Sequence, residues 1–377
     1  LDKCLFLEEW LKSRGITRLE RYDAPDSRAK GGVRPNLIAT IEGGLQENSG
    51  DSYTGRLWIM SHIDVVPPGE ERLWNSDPYT VIRADDPPRL IGRGVEDNQQ
   101  GLVSSVLAAL AFTSQGLKPA RTIKLLFAAD EETGSGLGVD WLVINHRELF
   151  SQNDMALVPD IGEITGASIE IAEKNILWVN FITRGKQTHG SRPDLGANAH
   201  LAGCDLAMRL HIELGEIFCE RDPLFEPCYS TFQPTKKEAN VPNINTIPGE
   251  DRFSMDMRVL PRYSAKQVLA EIDRIKKEIA LKYNVNIEYT MSQNMESKPT
   301  SVDSNVYKLL SGAIAEVYPV NPKPVGAGGG TVAAYLRNIG IDCVVWSRLC
   351  DQAHQPNEYV LLENIISDAK VMALLGL

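Results

Sequence analysis

ILWVNFITRG, residues 176–185, is where the chain changes texture, and the fold follows from what lies on either side of it. Its β-branched and aromatic residues read as a strand. Upstream, short apolar runs alternate with helical stretches: NLIATI, RLWIMSHID, GLVSSVLAALAFTSQG, TIKLLFAADEE, VDWLVINHRELF and MALVPDIG. Strands separated by helices in this way predict a largely parallel sheet covered on both faces. Downstream, NAHLAGCDLAMRLHIELGEI reads as a helix, NTIPGEDRFSMDMRVLP as a turn and a strand, SAKQVLAEIDRIKKEIALKY as a helix and VNIEYTMSQ as a strand. In order, these fit a β-α-β-β-α-β unit, a self-contained two-layer sandwich. The alternation then resumes with YKLLSGAIAEVY, GIDCVVWSR and NIISDAKVMALLG. The expected architecture is α/β: a discontinuous domain of residues 1–176 and 293–377, interrupted by a smaller α+β, ferredoxin-like insertion at 177–292.

A chain of 377 residues is long for a single hydrophobic core, which agrees with two domains, and its 43% hydrophobic content is ordinary for a globular protein. No stretch approaches the roughly 18 consecutive apolar residues of a membrane span. The opening LDKCLFLEEWLKSRG is amphipathic with early acids, unlike a secretory signal. It begins on Leu1 rather than Met, which leaves a processed leader open. Fifty acids against 39 bases give a net charge of −11 without any basic block, so nucleic acid and anionic membrane are not expected partners. Six cysteines without a C-x-x-C pair predict a reduced, cytoplasmic protein with buried thiols.

Polar residues cluster where apolar runs end. MSHID offers His62 and Asp64, RLIGRGVEDNQQG Asp97, LLFAADEETGSG Glu131 and Glu132, MALVPDIG Asp160, and WSRLCDQAHQPNEY His354. Each has a simpler reading alone: Asp97 caps a helix, the glutamates form a solvated loop, Asp160 marks a turn, and His354 lies on the surface or in the core. Together they are two histidines and several carboxylates at strand ends, where open α/β sheets gather their sites. Carboxylate oxygen with imidazole nitrogen suits zinc, and also manganese or cobalt, and the lack of a cysteine argues against a structural zinc knot. A bridging carboxylate lets two cations sit roughly 3.5–4 Å apart around one water that loses its proton near neutral pH. Of the adjacent Glu131 and Glu132, one can bind metal while the other serves as general base.

The order H-x-D, G-R-G-x-x-D, E-E, D and a late H-Q-P-N-E resembles the co-catalytic zinc peptidase and amidohydrolase family. That family includes aminoacylase, acetylornithine deacetylase, succinyl-diaminopimelate desuccinylase, carnosinase and glutamate carboxypeptidase. The resemblance covers essentially the full length. It implies two divalent cations, one held by His62 and Asp160, the other by Glu132 and His354, with Asp97 bridging, Glu131 as general base and Asp64 orienting the ring of His62. It also implies that the insertion is a lid that dimerises, with His189 in TRGKQTHGSRPDLGANA holding the developing oxyanion, in dimeric members from across the subunit boundary. Asn245 in NINTIPG, Arg258 in DMRVLP and Gly329, Gly330 and Thr331 in GAGGGTVAAYLR resemble substrate-binding positions. A structural loop histidine and a lid ion pair are the simpler readings of His189 and Arg258. As a dinucleotide fingerprint GAGGG has the wrong spacing and comes too late.

One departure is clear. Many relatives read D-x-K-G after the bridging aspartate, whereas here Gln99 and Gln100 replace the lysine and the glycine. The expected activity is hydrolysis of an amide bond in a small carboxylate-bearing substrate, a short peptide or an N-acyl amino acid. A two-zinc aminopeptidase is the neighbouring alternative, and the long insertion speaks against it because such enzymes keep a continuous catalytic domain. A non-catalytic, metal-dependent binding protein is the alternative from another class, against which stand six competent residues at the metal and base positions.

Overall fold

Strands buried on both faces dominate the first half of the chain. In the computed structural model, which describes residues 1–44 and 55–377, helix α1 (Asp2–Ser13) precedes β1 (Leu19–Pro25), β2 (Val33–Ile41) and β3 (Leu57–His62). The pair β4 (Ile82–Asp85) and β5 (Pro88–Ile91), then α2 (Gln99–Thr113), β6 (Ile123–Ala128), α3 (Val139–Asn145), β7 (Met155–Gly162) and β8 (Ser168–Glu173) follow. These elements, up to Ile171 within β8, belong to the first of two units, made of Leu1–Ile171, Pro299–Val325 and Thr331–Leu377.

The second unit, Ala172–Lys298 with Gly326–Gly330, is the insertion. Its elements are β9 (Asn175–Arg184), β10 (Thr188–His189), α4 (Ala199–Ile217), β11 (Thr231–Lys237), β12 (Thr246–Ile247), β13 (Glu250–Val259), α5 (Ala265–Tyr283) and β14 (Asn286–Met295). The order β11-β13-β9-β14, antiparallel throughout, is the ferredoxin-like arrangement. Alternate residues Phe253, Met255, Met257 and Val259 of β13 meet Leu206, Leu210, Ile272 and Ile275 of the two helices, as the two-residue period of a half-buried strand requires. Asn198 caps α4, and Ser264 with Gln267 forms a capping box on α5. The strand β11 has no apolar alternation to announce it: TFQPTKK is mostly exposed, carries Pro234 and shifts register there, which an edge strand tolerates. The unit also extends beyond 177–292. Ala172 packs with Phe225 and Leu260, Lys174 Nζ donates to the carbonyls of Pro227 and Tyr229, and the Ser297 amide donates to Asn175.

The chain returns as α6 (Asn305–Val317), β15 (Lys323–Ala327), α7 (Ala333–Asn338), β16 (Asp342–Ser347), β17 (Tyr359–Leu361) and α8 (Leu362–Leu374). Among the described residues these complete an eight-stranded sheet of order β1-β2-β6-β3-β7-β16-β8-β15. Its centre, β6, β3, β7 and β16, is parallel, while β1, β2 and β8 join antiparallel. Every residue of β3 and β6 is buried, as expected of strands covered on both faces. Trp58, Met60, Leu126 and Val345 pack with Val139 and Leu142 of α3 and with Ala333 and Leu336 of α7. Helix α2 packs on β3, β6 and β7, and α6 on β7 and β16. Because the four central strands point the same way, their carboxyl ends share one edge, and the loops leaving it can converge.

All six cysteines are free, but only Cys4 and Cys343 are buried; Cys204 and Cys219 are exposed. The expectation of buried thiols therefore holds for part of the set. Among the described residues no helix is long and apolar enough to cross a membrane.

Candidate metal centre

His62 is the last residue of β3 and its side chain is buried. Nε2 lies 2.9 Å from Asp97 Oδ1, 3.5 Å from Asp160 Oδ1 and 4.0 Å from Glu131 Oε2. Nδ1 lies 3.0 Å from the carbonyl oxygen of Asp64 and 3.6 Å from its Oδ1. The Asp64 carboxylate itself accepts the amides of Glu131 and Glu132, each at 3.2 Å. So the nearer acceptor for the ring of His62 is the Asp64 backbone, and the Asp64 side chain grips the turn after β6. That turn begins at Asp130, in the left-handed region at φ 65°, and sends two successive glutamates in different directions.

On the far side of Asp97, His354 Nε2 lies 3.1 Å from Asp97 Oδ2 and 3.2 Å from Glu132 Oε2. Among the described residues two groups of side chains can each hold a cation, His62–Asp97–Asp160 and Asp97–Glu132–His354. Asp97 belongs to both, one oxygen to each histidine. Its carboxylate is therefore engaged at the centre; α2 starts instead from Asn98, whose side chain makes no capping bond to the helix.

The electrostatics favour positive charge at this point. With Nδ1 of His62 facing a carbonyl, the Nε2 lone pair faces carboxylate oxygens, an arrangement that a cation or a proton relieves. Burial opposes a charged ring, yet the carboxylates of Asp160, Asp64 and Asp97 outweigh it and raise the basicity of His62 well above the ordinary value. Burial, and next the charge of Asp160, push the Glu131 carboxyl up to about 9. Burial and the charge of Asp97 raise Glu132 as well. Glu132 Oε1 is buried without a hydrogen-bond partner among the described residues, a position that metal coordination would satisfy. This donor set of oxygen and imidazole nitrogen, without thiolate, fits zinc, cobalt or manganese.

Three residues that sequence reasoning passed over hold the candidate ligands. Asn98 Nδ2 donates to Asp160 Oδ1 at 2.7 Å and to the carbonyl of Pro159 at 2.6 Å. Glu358, fully buried, accepts the amides of Gly94, Glu96 and Asp97 and the guanidinium of Arg93. Glu96 accepts the amides of Cys350 and Gln352. The motif letters G-R-G-x-x-D and H-Q-P-N-E were the available signal, since they contain Glu96 and Glu358 beside the ligands. Gly101 is needed for close approach: a Cβ there would meet the Pro159 carbonyl oxygen at 2.5 Å.

The remaining candidates lie mostly in the second unit. His189, on β10, is exposed, its Nδ1 2.8 Å from Ser191 Oγ. Strand β10 pairs with β12, and the carbonyl of Asn245 accepts the Gly190 amide at 2.7 Å, so His189 and Asn245 are neighbours. Arg258 makes a bidentate pair with Asp256 at 2.6 and 3.0 Å and donates to the carbonyl of Gly328 at 3.0 Å, the lid ion pair that was its simpler reading. Gly329 has open space around it, whereas a Cβ at Gly330 would meet Met295 at 2.1 Å. Thr331, in the first unit, bonds the Ala333 amide at 3.1 Å.

Residues 58–376 match the model of peptidase family M20/M25/M40. The chain belongs to this family. It is thus a metallohydrolase of the peptidase and amidohydrolase type, acting on amide bonds. An uncharacterized metallohydrolase of Methanococcus maripaludis is 39% identical over 97% of this chain and 89% of its own length. A succinyl-diaminopimelate desuccinylase of Wolinella succinogenes is 28% identical over 84% of this chain and 83% of its own. In fold, the aminopeptidase PepT of Bacillus cereus matches with a TM-score of 0.78 at 18% identity, over 99% of this chain and 91% of its own. The alignment with that structure spans 99% of this chain, so the likeness in fold takes in the second unit as well.

Proposed function

We propose that this M20-family protein is a two-cation hydrolase that cleaves the amide bond of a small carboxylate-bearing substrate, a short peptide or an N-acyl amino acid, with Glu131 as general base. The observation that carries the proposal is the sharing of Asp97, one oxygen toward His62 and the other toward His354, as a carboxylate bridging two cations requires. His62, Asp97 and Asp160 would hold one ion and Asp97, Glu132 and His354 the other, with zinc the first choice and cobalt or manganese the alternatives. Bound there, the ions would supply Lewis acidity, polarising the scissile carbonyl and making an attacking water more acidic. The charge of bound cations would offset that of Asp160, which with burial raises the Glu131 carboxyl, and so favour its ionised form; Glu131 then takes the proton of that water and delivers it to the leaving nitrogen, which needs a base within hydrogen-bond reach of both. Asp64, bonded to the amides of Glu131 and Glu132, keeps base and ligand in separate directions.

In this reading the first unit is the catalytic domain and the second a lid and dimerisation domain. His189 donates to the developing oxyanion, in a dimer from the neighbouring subunit, a contribution worth roughly 10²–10³ in rate. Asn245, Arg258, Gly329, Gly330 and Thr331 face the substrate, Arg258 exchanging part of its bond to Asp256 for the substrate carboxylate. A homodimer is supported by the outer face of α4, where Leu201, Met208 and Ile212 are exposed on one side of the helix, and by the edge position of β11. Six free thiols favour a reducing, cytoplasmic setting.

The test is a substrate screen on enzyme stripped of metal and reloaded with zinc, cobalt or manganese. Hydrolysis of N-acyl amino acids or dipeptides should return with at least one ion. Absence of turnover with every ion across both panels would contradict the proposal, and tightly bound metal without turnover would favour the binding protein. A dipeptide cleaved only with a free amino terminus would assign the aminopeptidase instead.

A further inference from the structure

His354 lies in the left-handed region, at φ 64°. Within the stretch 351–357, Asp351, His354 and Asn357 have φ of 60°, 64° and 60°, a region that Asp, His and Asn enter more readily than other non-glycine residues but still at a cost that their surroundings must meet. The side chain of His354 is 57% exposed, so packing does not fix it. A ligand in this state would lose affinity to its own mobility unless the loop beneath it were held.

Two buried acids hold that loop, running in opposite directions between the same two segments. Glu96, next to the shared Asp97, takes the amide of Cys350 on Oε1 and that of Gln352 on Oε2, the latter at 2.5 Å. Glu358, just past His354, takes the amides of Glu96 and Asp97 on Oε1 at 2.8 and 3.0 Å. Its Oε2 takes the Gly94 amide at 2.9 Å and the Arg93 guanidinium at 2.7 Å. Hydrogen bonds to a carboxylate are about twice as strong as neutral ones, and burial excludes the water that would compete. Gln100 adds a third tie, donating to the carbonyl of Arg348 at 2.8 Å.

From this we infer that Glu96 is a positioning residue for the Asp97–Glu132–His354 group: it fixes the amides at 350 and 352 and so presents the His354 ring to Asp97 and Glu132 before a cation arrives. Glu96 itself takes no part in the ligand set. Its effect is selective, because its bonds reach the loop of His354 and not the strands that carry His62 and Asp160. The inference deepens the two-cation reading and rests on it.

Cobalt(II) titration of chelator-stripped enzyme, followed by visible absorption and equilibrium dialysis, tests it. The wild type should take two ions. Glu96→Gln, whose amide turns a donor toward one of the two N–H groups, should keep the first ion at wild-type affinity and bind the second roughly 10–100-fold more weakly, approaching His354→Ala, with an unchanged circular dichroism spectrum. Two ions at wild-type affinity in Glu96→Gln would overturn the inference and leave the two-cation reading intact. Equal weakening of both ions would mark a general structural role and overturn it too, whereas a wild type taking fewer than two ions would overturn the two-cation reading itself. Should the variant not fold, hydrogen exchange on the stripped wild type decides: the Cys350 and Gln352 amides should be protected without metal, and rapid exchange of both would contradict the inference.

Discussion

Asp64 does two jobs with two different groups. Its carbonyl orients the ring of His62 and its carboxylate gathers the amides of Glu131 and Glu132, so one residue sets the direction of two proposed ligands, His62 and Glu132, and of the proposed base Glu131. Asp64→Ala should therefore lower metal affinity roughly 10–100-fold, read by competition with a chromogenic chelator. Glu131→Gln should behave differently, because Glu131 is assigned to the proton and not to a metal. Its kcat should fall about 10²–10⁴-fold with metal content by atomic emission unchanged. The side chains that could hold a cation were legible from their order along the chain, since His62, Asp97, Glu132, Asp160 and His354 each follow or end an apolar run. The hydrogen bonds that aim them were not. Glu358 and Asp97 are separated by 261 residues and Glu96 and Gln352 by 256, and no local pattern encodes such a pairing.

At the level of elements, the departure at Gln100 becomes intelligible. Its side chain, on the first turn of α2, donates to Asp368 Oδ2 at 2.8 Å and to Ser347 Oγ at 3.1 Å, and Asp368 also accepts Ser347 Oγ and Tyr318 OH. Helix α2, the end of β16, α6 with its C-cap Tyr318 and α8 meet in this buried network, where a glycine would offer nothing. Gln100→Ala should cost about 1–3 kcal/mol, seen as a lower denaturant midpoint at an unchanged slope. Ser264→Ala, which removes the capping box of α5, should cost about 1 kcal/mol by the same measurement. Elements with a clear period were readable in advance: β3 and β6 as short, largely apolar runs, α5 from its apolar stripe Val268, Ile272, Ile275 and Ile279. Strand β11 was not, because its exposed, proline-bearing sequence draws its structure from pairing with β13 and not from its own pattern.

For the whole molecule, the parallel centre of the sheet explains why ligands so distant in sequence can meet, and the second unit has a complete core of its own. If the outer face of α4 forms the dimer, Met208→Glu with Ile212→Glu should yield monomers in sedimentation velocity, with kcat reduced as far as His189 acts across the boundary; an unchanged dimer would remove α4 from the interface. The claim on which all of this depends is that Asp97 joins two cations. Anomalous diffraction from crystals grown with zinc, collected on both sides of the zinc edge, tests it most directly. Two peaks about 3.5–4 Å apart, each touching a different oxygen of Asp97, are expected, while a single peak, or peaks away from Asp97, would contradict it.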